Sequence, residues 1–545
     1  MGSFGYGGEI MAGKLYDEIS GFVPYTQEEA AARNTLLSLI ETHGDRMLDR
    51  DCEVGHITCS GFILSPDLAE TLMAYHLIYG SVGWTGGHAD GDADLSGVAM
   101  REASEETSVT QIHLLSRRIL SIDILPVPPH EKHGKPVASH LHYNVTYGLI
   151  APKNQKIADK PDENRNVMWL KTQDMKIYVT EPQMLPIYEK LVERMRAICE
   201  EKAEIPQKML RPLLEWYPSH KRDLPWRRDR NPYHVWVSEI MLQQTRVEAV
   251  RGYYKRFLDA LPDIAALAEC PEDTLLKLWE GLGYYNRVRN MQKAARQIME
   301  QHGGVFPQSY EEIRALAGIG DYTAGAISSI CFSLPTPAVD GNVLRLMARL
   351  QEDFRNILSP QFKADVTAQL AQVYPQADPG MLTQALMEMG ATVCVPNGAP
   401  HCEDCPLAAM CMARKMKSAA LLPVREKKTT RRTEERTVFV LSCNGKIAIR
   451  KRPPNGLLAS LWELPNTEGF LDVQEAVSFC ENWGTKPQEF LKTVKRRHIF
   501  THVTWEMQGV FIRCAAESPE FVWAQPQELA EIYSLPTAFR CVLGE

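Results

Sequence analysis

Four cysteines lie close together near residue 400, and their spacing is typical of a metal site. Seven, two and five residues separate them, and the set is Cys394, Cys402, Cys405 and Cys411. The other nine of the 13 cysteines are scattered, which argues against a disulfide framework and for a reducing compartment. Zinc and iron–sulfur clusters both bind four thiolates, so the spacing alone leaves either metal open.

Three glutamates in the first third of the chain form a second group of candidate ligands. Glu102 and Glu106 are four residues apart and share one face of a predicted helix, with Glu105 beside them. Like charges at this spacing repel one another unless a cation is present, and such oxygen clusters suit Mg²⁺. A solvated acidic helix is the alternative interpretation.

The third feature is the stretch from Leu316 to Arg345, which combines a glycine-rich turn with one acid. Gly318 and Gly320 predict a tight turn between two helices, where the free amides of the second helix can bind a DNA phosphate. Asp340 follows about twenty residues later, and we expect it to face a nucleotide that has left the base stack. A plain helix cap is the alternative for both the turn and the acid.

Length and charge limit where these features can act. A chain of 545 residues is too long for one core, so about three domains are expected. Residues 1–200 carry 18 basic and 28 acidic side chains, whereas the remainder carries 42 and 40, so DNA binding is expected after residue 200. No apolar run reaches the ~18 residues of a membrane helix and no signal peptide is evident, so we expect a cytoplasmic protein.

The hydrophobic pattern predicts the elements that position these residues. Strands are predicted at His56–Leu64, Glu70–Ile78 and His140–Ile150, and a helix at Met184–Lys202. The next part is mainly helical, with helices at Val235–Val247, Pro271–Trp279 and Val288–His302, one from Tyr310 to near Gly318, and one after Tyr322. A polar linker at 427–436 then precedes strands at Thr437–Leu441 and Lys446–Arg450, which flank an Asn-Gly hairpin turn.

The N-terminal glutamates belong to a motif that resembles the Nudix hydrolases. That family's motif runs Gly, five residues, Glu, seven residues, Arg-Glu-x-x-Glu-Glu-x-Gly, and the Arg-Glu-x-x-Glu-Glu core is intact at residues 101–106. Counting from Gly87, Ala93 occupies the first Glu position, flanked by two aspartates, and Ser108 occupies the late Gly position.

The resemblance implies a Nudix fold, Mg²⁺ bound by Glu102, Glu105 and Glu106, and hydrolysis of a nucleoside diphosphate derivative. Full activity would require Asp92 or Asp94 to replace the glutamate that is missing at position 93.

The stretch 316–345 resembles the helix-hairpin-helix glycosylase superfamily through LAGIGDYTA followed by VDGNVLR. The segments SEIMLQQT and GLGYYNR and the cysteine cluster narrow the resemblance to the adenine DNA glycosylases, which remove adenine mispaired with 8-oxoguanine. The resemblance runs from about residue 211 to the C-terminus, nearly two thirds of the chain. It implies that the four cysteines hold a [4Fe–4S] cluster, with a first spacing one residue longer than usual.

Base removal breaks an N-glycosidic bond through an oxocarbenium-like state. That reaction needs an acid for the leaving purine and a carboxylate to stabilise the positive sugar. The resemblance assigns Glu239 as the acid and Asp340 as the stabiliser, and Tyr322 and Asn342 match active-site positions. A glutamate buried on an amphipathic helix would have a raised pKa, which suits a proton donor.

Tyr322 also separates two kinds of glycosylase. Bifunctional relatives carry a lysine at this position, and that lysine forms a Schiff base with the sugar. The resemblance therefore implies a monofunctional enzyme, which leaves an abasic site.

Other positions match residues that contact DNA. A base must leave the duplex before it can be excised, and the resemblance places Gln244 and Tyr284 as wedges on either side of the lesion and Arg227 in the adenine pocket. Core packing is the alternative for Tyr284.

The C-terminal part resembles a second Nudix-like domain, which in this family reads the 8-oxoguanine strand. Phe500, Thr501 and His502 match the recognition loop, which is usually Phe-Ser-His. The loop at 453–465 is not followed by an Arg-Glu-x-x-Glu-Glu core, so we predict neither metal nor hydrolysis in this domain.

These motifs predict a multidomain chain. An N-terminal α/β Nudix fold would span 1–204, an all-α helix-hairpin-helix glycosylase with an iron–sulfur loop 205–425, a linker 426–436 and an α+β Nudix-like domain 437–545. We expect a monomer that binds double-stranded DNA with 8-oxoguanine:A or G:A mispairs. A non-catalytic lesion-binding protein and a glycosylase/lyase for another damaged base are the alternatives.

Overall fold

The computed structural model describes residues 6–132, 135–161, 164–425, 431–500 and 502–544. The chain divides into two compact units, each built from three segments. The first unit contains residues 1–220, 339–373 and 385–426, and the second contains 221–338, 374–384 and 427–545. None of the helices in the described ranges has the length and hydropathy needed to cross a membrane.

The first unit begins with an α/β domain. Its elements are α1 (Tyr6–Ser20), α2 (Gln27–His43), β1 (His56–Leu64), β2 (Glu70–His76), β3 (Ser81–Gly83), β4 (Thr85–His88), α3 (Leu95–Thr107), β5 (His113–Val127), β6 (His130–Lys132), β7 (Lys135–Val137), β8 (His140–Ile150), β9 (Asn164–Lys171), α4 (Met175–Tyr178) and α5 (Leu185–His220). Strands β1 and β8 have the predicted bounds, and β2 ends two residues earlier than predicted.

A seven-stranded mixed sheet organises this domain. Its strand order is β3-β2-β1-β8-β5, with β4 also paired to β1 and β9 to β2. Strand β1 runs parallel to β8 and antiparallel to β2 and β4. Gly61 of β1 lets α3 approach closely, because a Cβ there would lie 3.1 Å from the Ala99 carbonyl oxygen and 2.5 Å from a Leu149 methyl group.

Helix α5 continues the chain beyond the predicted domain boundary. Its apolar spacing does not stop near residue 204, and Met209, Leu213 and Trp216 are buried in its second half. The helix predicted at Met184–Lys202 is therefore the first part of a 36-residue helix that crosses position 204/205.

Within the described part of the chain, eleven further helices lie between α5 and the strands of the C-terminal sheet. They are α6 (Pro232–Leu242), α7 (Val247–Ala260), α8 (Ile264–Glu269), α9 (Glu272–Leu278), α10 (Asn286–Gln301), α11 (Tyr310–Ala315), α12 (Asp321–Phe332), α13 (Gly341–Leu350), α14 (Pro360–Val373), α15 (Pro379–Thr392) and α16 (Met412–Lys415). The prediction of one helix at Val235–Val247 is wrong, because the chain breaks between α6 and α7 and the apolar pattern covers two helices.

The second unit ends with another α/β arrangement. Its elements are β10 (Arg432–Cys443), β11 (Lys446–Lys451), β12 (Trp462–Glu463), β13 (Asn466–Glu468), α17 (Val473–Asn482), β14 (Pro487–Ile499), β15 (Val503–Cys514), β16 (Val522–Ala524), α18 (Pro526–Glu531) and α19 (Thr537–Leu543). The strand order is β12-β11-β10-β15-β14, with β13 on β10 and β16 on β11. Strand for strand, this is the order of the N-terminal sheet.

Part of the predicted linker is a strand. Residues 432–436 belong to β10, which pairs in parallel with β15 from Arg432↔Val503 onward. Their charged side chains have local partners: the Arg436 guanidinium lies 4.4 Å from the centre of the Trp505 ring, and the Trp505 indole donates to Glu434. The linker prediction for these residues rested on their polar composition. The strand and the ring that they pair with, β15 and Trp505, lie far away in the sequence, so the local pattern did not reveal them. Asn444 and Gly445 form the predicted turn, with φ of 51° and 77°.

Candidate active site and nucleic-acid interface

Glu239 lies in the interior of the second unit, on α6. Its side chain is buried, with 6% of the residue exposed. The Tyr322 hydroxyl, from the first turn of α12, donates a 2.6 Å hydrogen bond to Glu239 Oε2. The structure therefore brings together two of the predicted catalytic residues, which are 83 positions apart in the sequence.

The glycine turn places Tyr322. Gly318 has a φ of +76°, and a Cβ at this position would lie 2.5 Å from the Asn290 Cβ. Both constraints favour glycine. Gly320 is extended and precedes the first turn of α12, with ψ of 175°. The predicted turn between two helices is confirmed, and α12 begins at Asp321, one residue before Tyr322.

The two predicted wedge residues share an unusual backbone conformation. Gln244, between α6 and α7, has a φ of +62°, and Tyr284, before α10, has a φ of +48°. Both side chains are exposed, Tyr284 by 52%, so core packing is excluded for Tyr284. Left-handed backbone at residues other than glycine costs about 1–3 kcal/mol and is concentrated at functional sites.

Arg287 holds both wedge loops, and sequence reasoning missed it. Its Nη1 donates to the carbonyls of Ile240 and Gln243 at 2.7 and 2.6 Å, and its Nη2 donates to the carbonyls of Leu282 and Gly283 at 2.9 and 3.2 Å. These bonds satisfy carbonyls at the end of α6, where no helical donor is available. Arg287 is the final residue of the GLGYYNR segment, and its place in that motif could have marked it as a candidate.

Arg227 lies in a separate turn of the second unit. It ends a short 3₁₀ helix at Pro225–Arg227 and is half-buried. The preceding Trp226 is buried and packs edge-on against Tyr254, with ring centres 5.4 Å apart. This packing anchors the turn that carries Arg227.

Asp340 is the N-terminal cap of α13, in the first unit. Its Oδ1 accepts hydrogen bonds from the amides of Asn342 and Val343, both at 2.9 Å, and its Oδ2 accepts one from Asn342 Nδ2 at 2.6 Å. Burial raises the pKa of Asp340, although these donors oppose the increase. The capping alternative describes its conformation correctly, and the same bonds fix the direction of its carboxylate.

The four candidate cysteine ligands lie together in the first unit. Burial, reinforced by the neighbouring thiols, raises the pKa of Cys405 and of Cys411 to about 11. No disulfide joins any of the four, which are Cys394, Cys402, Cys405 and Cys411. The structure therefore gathers a reduced tetrathiol group, as the spacing predicts.

Two buried arginines of α13 connect this group to the Asp340 cap. Arg349 Nη1 donates to Cys394 Sγ at 3.3 Å, and Arg345 donates to the Cys394 carbonyl at 2.8 Å and to Asn342 Oδ1 at 2.9 Å. Sequence reasoning missed both arginines. Their four-residue spacing on a mostly apolar helix could have marked them.

The N-terminal glutamates lie where α3 meets the glycines of β4. Glu106 is 2% exposed and accepts from the Gly86 amide at 2.9 Å and from Asn164 Nδ2 at 3.3 Å. Glu102 packs so closely against Gly87 that a Cβ there would lie 2.3 Å from its carboxyl carbon. The side chain of Glu105 is half exposed.

The two aspartates that flank Ala93, and Ser108 at the late Gly position, have structural roles in and around α3. Asp94 caps α3 by accepting from the Gly97 amide and also lies 3.2 Å from Arg117 Nη2. Asp92 accepts from the Asp94 amide at 2.9 Å. Ser108 ends α3 with a φ of +60°, the conformation for which glycine is the usual residue.

The predicted recognition loop is the turn between β14 and β15. The Phe500 amide donates to the Val503 carbonyl at 2.9 Å, and its ring packs against Trp505 and His498, with ring centres 4.9 and 4.6 Å away. His502 is exposed. Thr501 lies outside the described residues.

Two protein-family models match parts of this chain. The model of the HhH-GPD superfamily of base excision DNA repair proteins matches residues 237–368, and a NUDIX domain model matches residues 437–545. The first matched range contains Glu239 and the glycine turn before Tyr322, and the Nudix-like fold predicted for the C-terminal part is confirmed.

Three adenine DNA glycosylases show the closer relationship. The Homo sapiens protein is 34% identical over 360 residues, which are 55% of this chain and 66% of the relative. The Rattus norvegicus protein is 32% identical over 369 residues, 57% and 71% of the two chains. The Buchnera aphidicola (subsp. Baizongia pistaciae) protein is 33% identical over 304 residues, 55% and 84%. The chain belongs to the adenine DNA glycosylase family, whose members are hydrolytic DNA N-glycosylases.

Proposed function

We propose that this protein excises adenine paired with 8-oxoguanine or guanine in double-stranded DNA, as a monofunctional glycosylase. The observation that carries the proposal is the buried Glu239 carboxyl with the Tyr322 hydroxyl bonded to it. The family relatives named adenine DNA glycosylase support the choice of base.

The chemistry follows from the residues present. Protonated Glu239 gives its proton to the leaving adenine, and the electron pair of the C1′–N9 bond leaves with the base. The carboxylate of Asp340, held in one direction by three hydrogen bonds, stabilises the positive charge left on the sugar. Water then adds at C1′ and returns a proton to Glu239.

Tyr322 limits the reaction to base removal. A tyrosine hydroxyl cannot form a Schiff base with the sugar, and its proton is directed at Glu239. The expected product is an abasic site with an intact strand.

A single-turnover assay with excess enzyme on an 8-oxoguanine:A duplex tests the proposal. Adenine release is expected from the wild type and not from Glu239→Gln, while both bind the duplex. Tight binding without release by the wild type would leave a lesion-binding protein instead. Borohydride trapping of a covalent DNA adduct would establish a glycosylase/lyase.

We propose further that the four cysteines hold a [4Fe–4S] cluster, which would fasten the cysteine loop to the rest of the first unit. The four thiols are close together, since the other three all help to raise the pKa of Cys405. Four thiolates are the ligand set of both a zinc site and a [4Fe–4S] cluster, and the family resemblance selects the cluster. Iron, sulfide and zinc analysis of the purified protein tests this assignment.

A second activity is proposed for the N-terminal domain: Mg²⁺-dependent hydrolysis of a nucleoside diphosphate derivative. Two observations favour it. The domain has the strand order of the C-terminal Nudix domain, and Glu102 and Glu106 lie against the glycines of β4, with the half-exposed Glu105 on the same helix. Mg²⁺ would bind these carboxylates and supply charge neutralisation for a diphosphate.

Turnover of a panel of nucleoside diphosphate derivatives tests this activity. Glu105→Gln should abolish Mg²⁺-dependent turnover because it removes a proposed Mg²⁺ ligand. Glu105 is half exposed, so the variant should still fold. Glu53→Gln, an exposed carboxylate of the same domain, is the matched control. If the wild type hydrolyses none of the panel, the domain is a scaffold.

A further inference from the structure

Four histidines converge at one end of the N-terminal sheet, and neither proposed activity uses them. His56 begins β1, His88 ends β4, and His140 and His142 lie at the start of β8. The parallel ladder places His56 opposite His142, and the antiparallel ladder places His88 opposite Thr58. The centre of the His56 ring lies 4.9 Å from those of His88 and His142 and 5.2 Å from that of His140.

Three of these rings already present nitrogen atoms to a common point. One ring nitrogen from each of His56, His88 and His142 lies within 4.8 Å of the other two. Bonds of about 2.05 Å to one tetrahedral ion would require separations of roughly 3.4 Å. The rings must rotate toward one another to close that difference.

His56 supplies an independent reason to expect a ligand. The residue is only 4% exposed, and among the described residues neither of its ring nitrogens has a hydrogen-bond partner. A buried polar group without a partner costs about 1–3 kcal/mol, and native structures rarely keep one. An ion bound by an imidazole nitrogen would remove much of that cost.

We propose that His56, His88 and His142 bind one first-row transition-metal ion of the zinc type, which ties together the ends of β1, β4 and β8. Imidazole nitrogens select zinc, copper or nickel over Mg²⁺. This site therefore differs in chemistry from the carboxylate cluster of the same domain.

His140 completes the site as a fourth ligand or as a positioning partner. Its Nδ1 lies 2.9 Å from the Ala138 carbonyl oxygen, and its Nε2 lies 3.1 Å from Nε2 of His142. Metal-binding histidines usually donate their second ring N–H to a carbonyl or carboxylate. With Nδ1 as that donor, His140 Nε2 is the acceptor in its contact with His142.

Cobalt titration of the full-length protein tests the proposal. The sample should be purified without a polyhistidine tag and should retain the metal on its cysteines. Excess Mg²⁺ should be present during the titration, so that the carboxylates are occupied. One equivalent of Co²⁺ should bind with visible d–d absorption and without the near-ultraviolet band of a cobalt–thiolate bond. Zn²⁺ should displace it and raise the Tm of the protein.

Histidine variants decide whether the cluster is the site. His88→Gln and His142→Gln should each weaken Co²⁺ binding about 10–100-fold and remove the effect of Zn²⁺ on Tm. Both residues are partly exposed, so both variants should fold even if His56→Gln does not. His43→Gln, from the same domain, should bind like the wild type. Absence of stoichiometric binding, or equal binding by the cluster variants, would overturn the proposal.

Discussion

Replacing Tyr322 by phenylalanine tests the central pair of the proposed active site. The change removes one oxygen atom and keeps the ring. It therefore deletes the 2.6 Å bond to Glu239 Oε2 with little change in packing. Because the hydroxyl donates to the carboxyl oxygen, it favours the ionised form of Glu239, and its loss should favour the protonated form.

The size of the effect follows from the bond. A hydrogen bond contributes about 1.5–3 kcal/mol to a charged group and about 0.5–1.5 kcal/mol to a neutral one. The ionised form of Glu239 therefore gains roughly 1–1.5 kcal/mol more from the bond than the protonated form, and 1.36 kcal/mol of such a difference corresponds to one pH unit of a titration. If Glu239 is the acid, the rate of adenine release falls as pH rises through its titration. The alkaline limb of the profile should therefore move to higher pH by about one unit in Tyr322→Phe.

The assay is the single-turnover rate of adenine release from an 8-oxoguanine:A duplex, measured across pH at saturating enzyme. Tyr233→Phe is the matched control. Its hydroxyl donates to the Leu261 carbonyl at 2.8 Å, so this variant also loses a buried hydroxyl bond on α6. It should lose stability without any movement of the alkaline limb.

Two results would refute the reasoning. An alkaline limb unchanged in Tyr322→Phe would mean that the hydroxyl does not control the acid. A limb that moves equally in Tyr233→Phe would mean that the profile reports general destabilisation. Movement in Tyr322→Phe alone supports the assignment.

Three further predictions concern stability and DNA engagement. Burial alone would raise the pKa of Glu29, but hydrogen bonds from Arg194, Tyr25 and Lys190 outweigh it and lower the pKa to about 2. The lowered pKa contributes about 3 kcal/mol to the free energy of unfolding above pH ~4.5, and this contribution is lost as pH falls toward 2. Denaturant unfolding of Glu29→Gln should therefore show less stability at neutral pH and a flatter dependence of stability on acid pH. Ser108→Gly should stabilise the N-terminal domain by about 1 kcal/mol because it relieves the left-handed backbone, whereas Ser104→Gly, inside α3, should destabilise it by a similar amount in the same unfolding experiment. Gln244→Gly should maintain or raise the Tm but slow adenine release, a separation that a purely structural role for this side chain would not produce.

The elements that the sequence predicted well are those with local causes. The strand-forming residues of β1 and β8 and the Asn444-Gly445 turn are local signals, and their positions were predicted correctly. The end of α6 has a distant cause. Arg287 binds its final carbonyls from more than forty positions away, and an apolar pattern alone continues through the break to Val247.

The candidate site divides in the same way. Residue types and spacing were enough to indicate the tetrathiol group, the glutamate cluster and the glycine turn. The supporting arginines were not predicted, because Arg345 and Arg349 acquire their roles only when α13 packs against the cysteine loop. The histidine cluster also has no local signal, since its members come from three strands whose pairing creates it.

The two sheets show how one topology can serve different chemistry within one chain. Helix α3 precedes β5 in the N-terminal domain, and α17 occupies the corresponding place before β14 in the C-terminal domain. Helix α3 carries carboxylates at 102, 105 and 106, whereas in α17 Glu475 is used in a capping box with Asp472. Because the strand order is shared, the glutamate cluster of the N-terminal domain is a property of its helix residues and not of the fold.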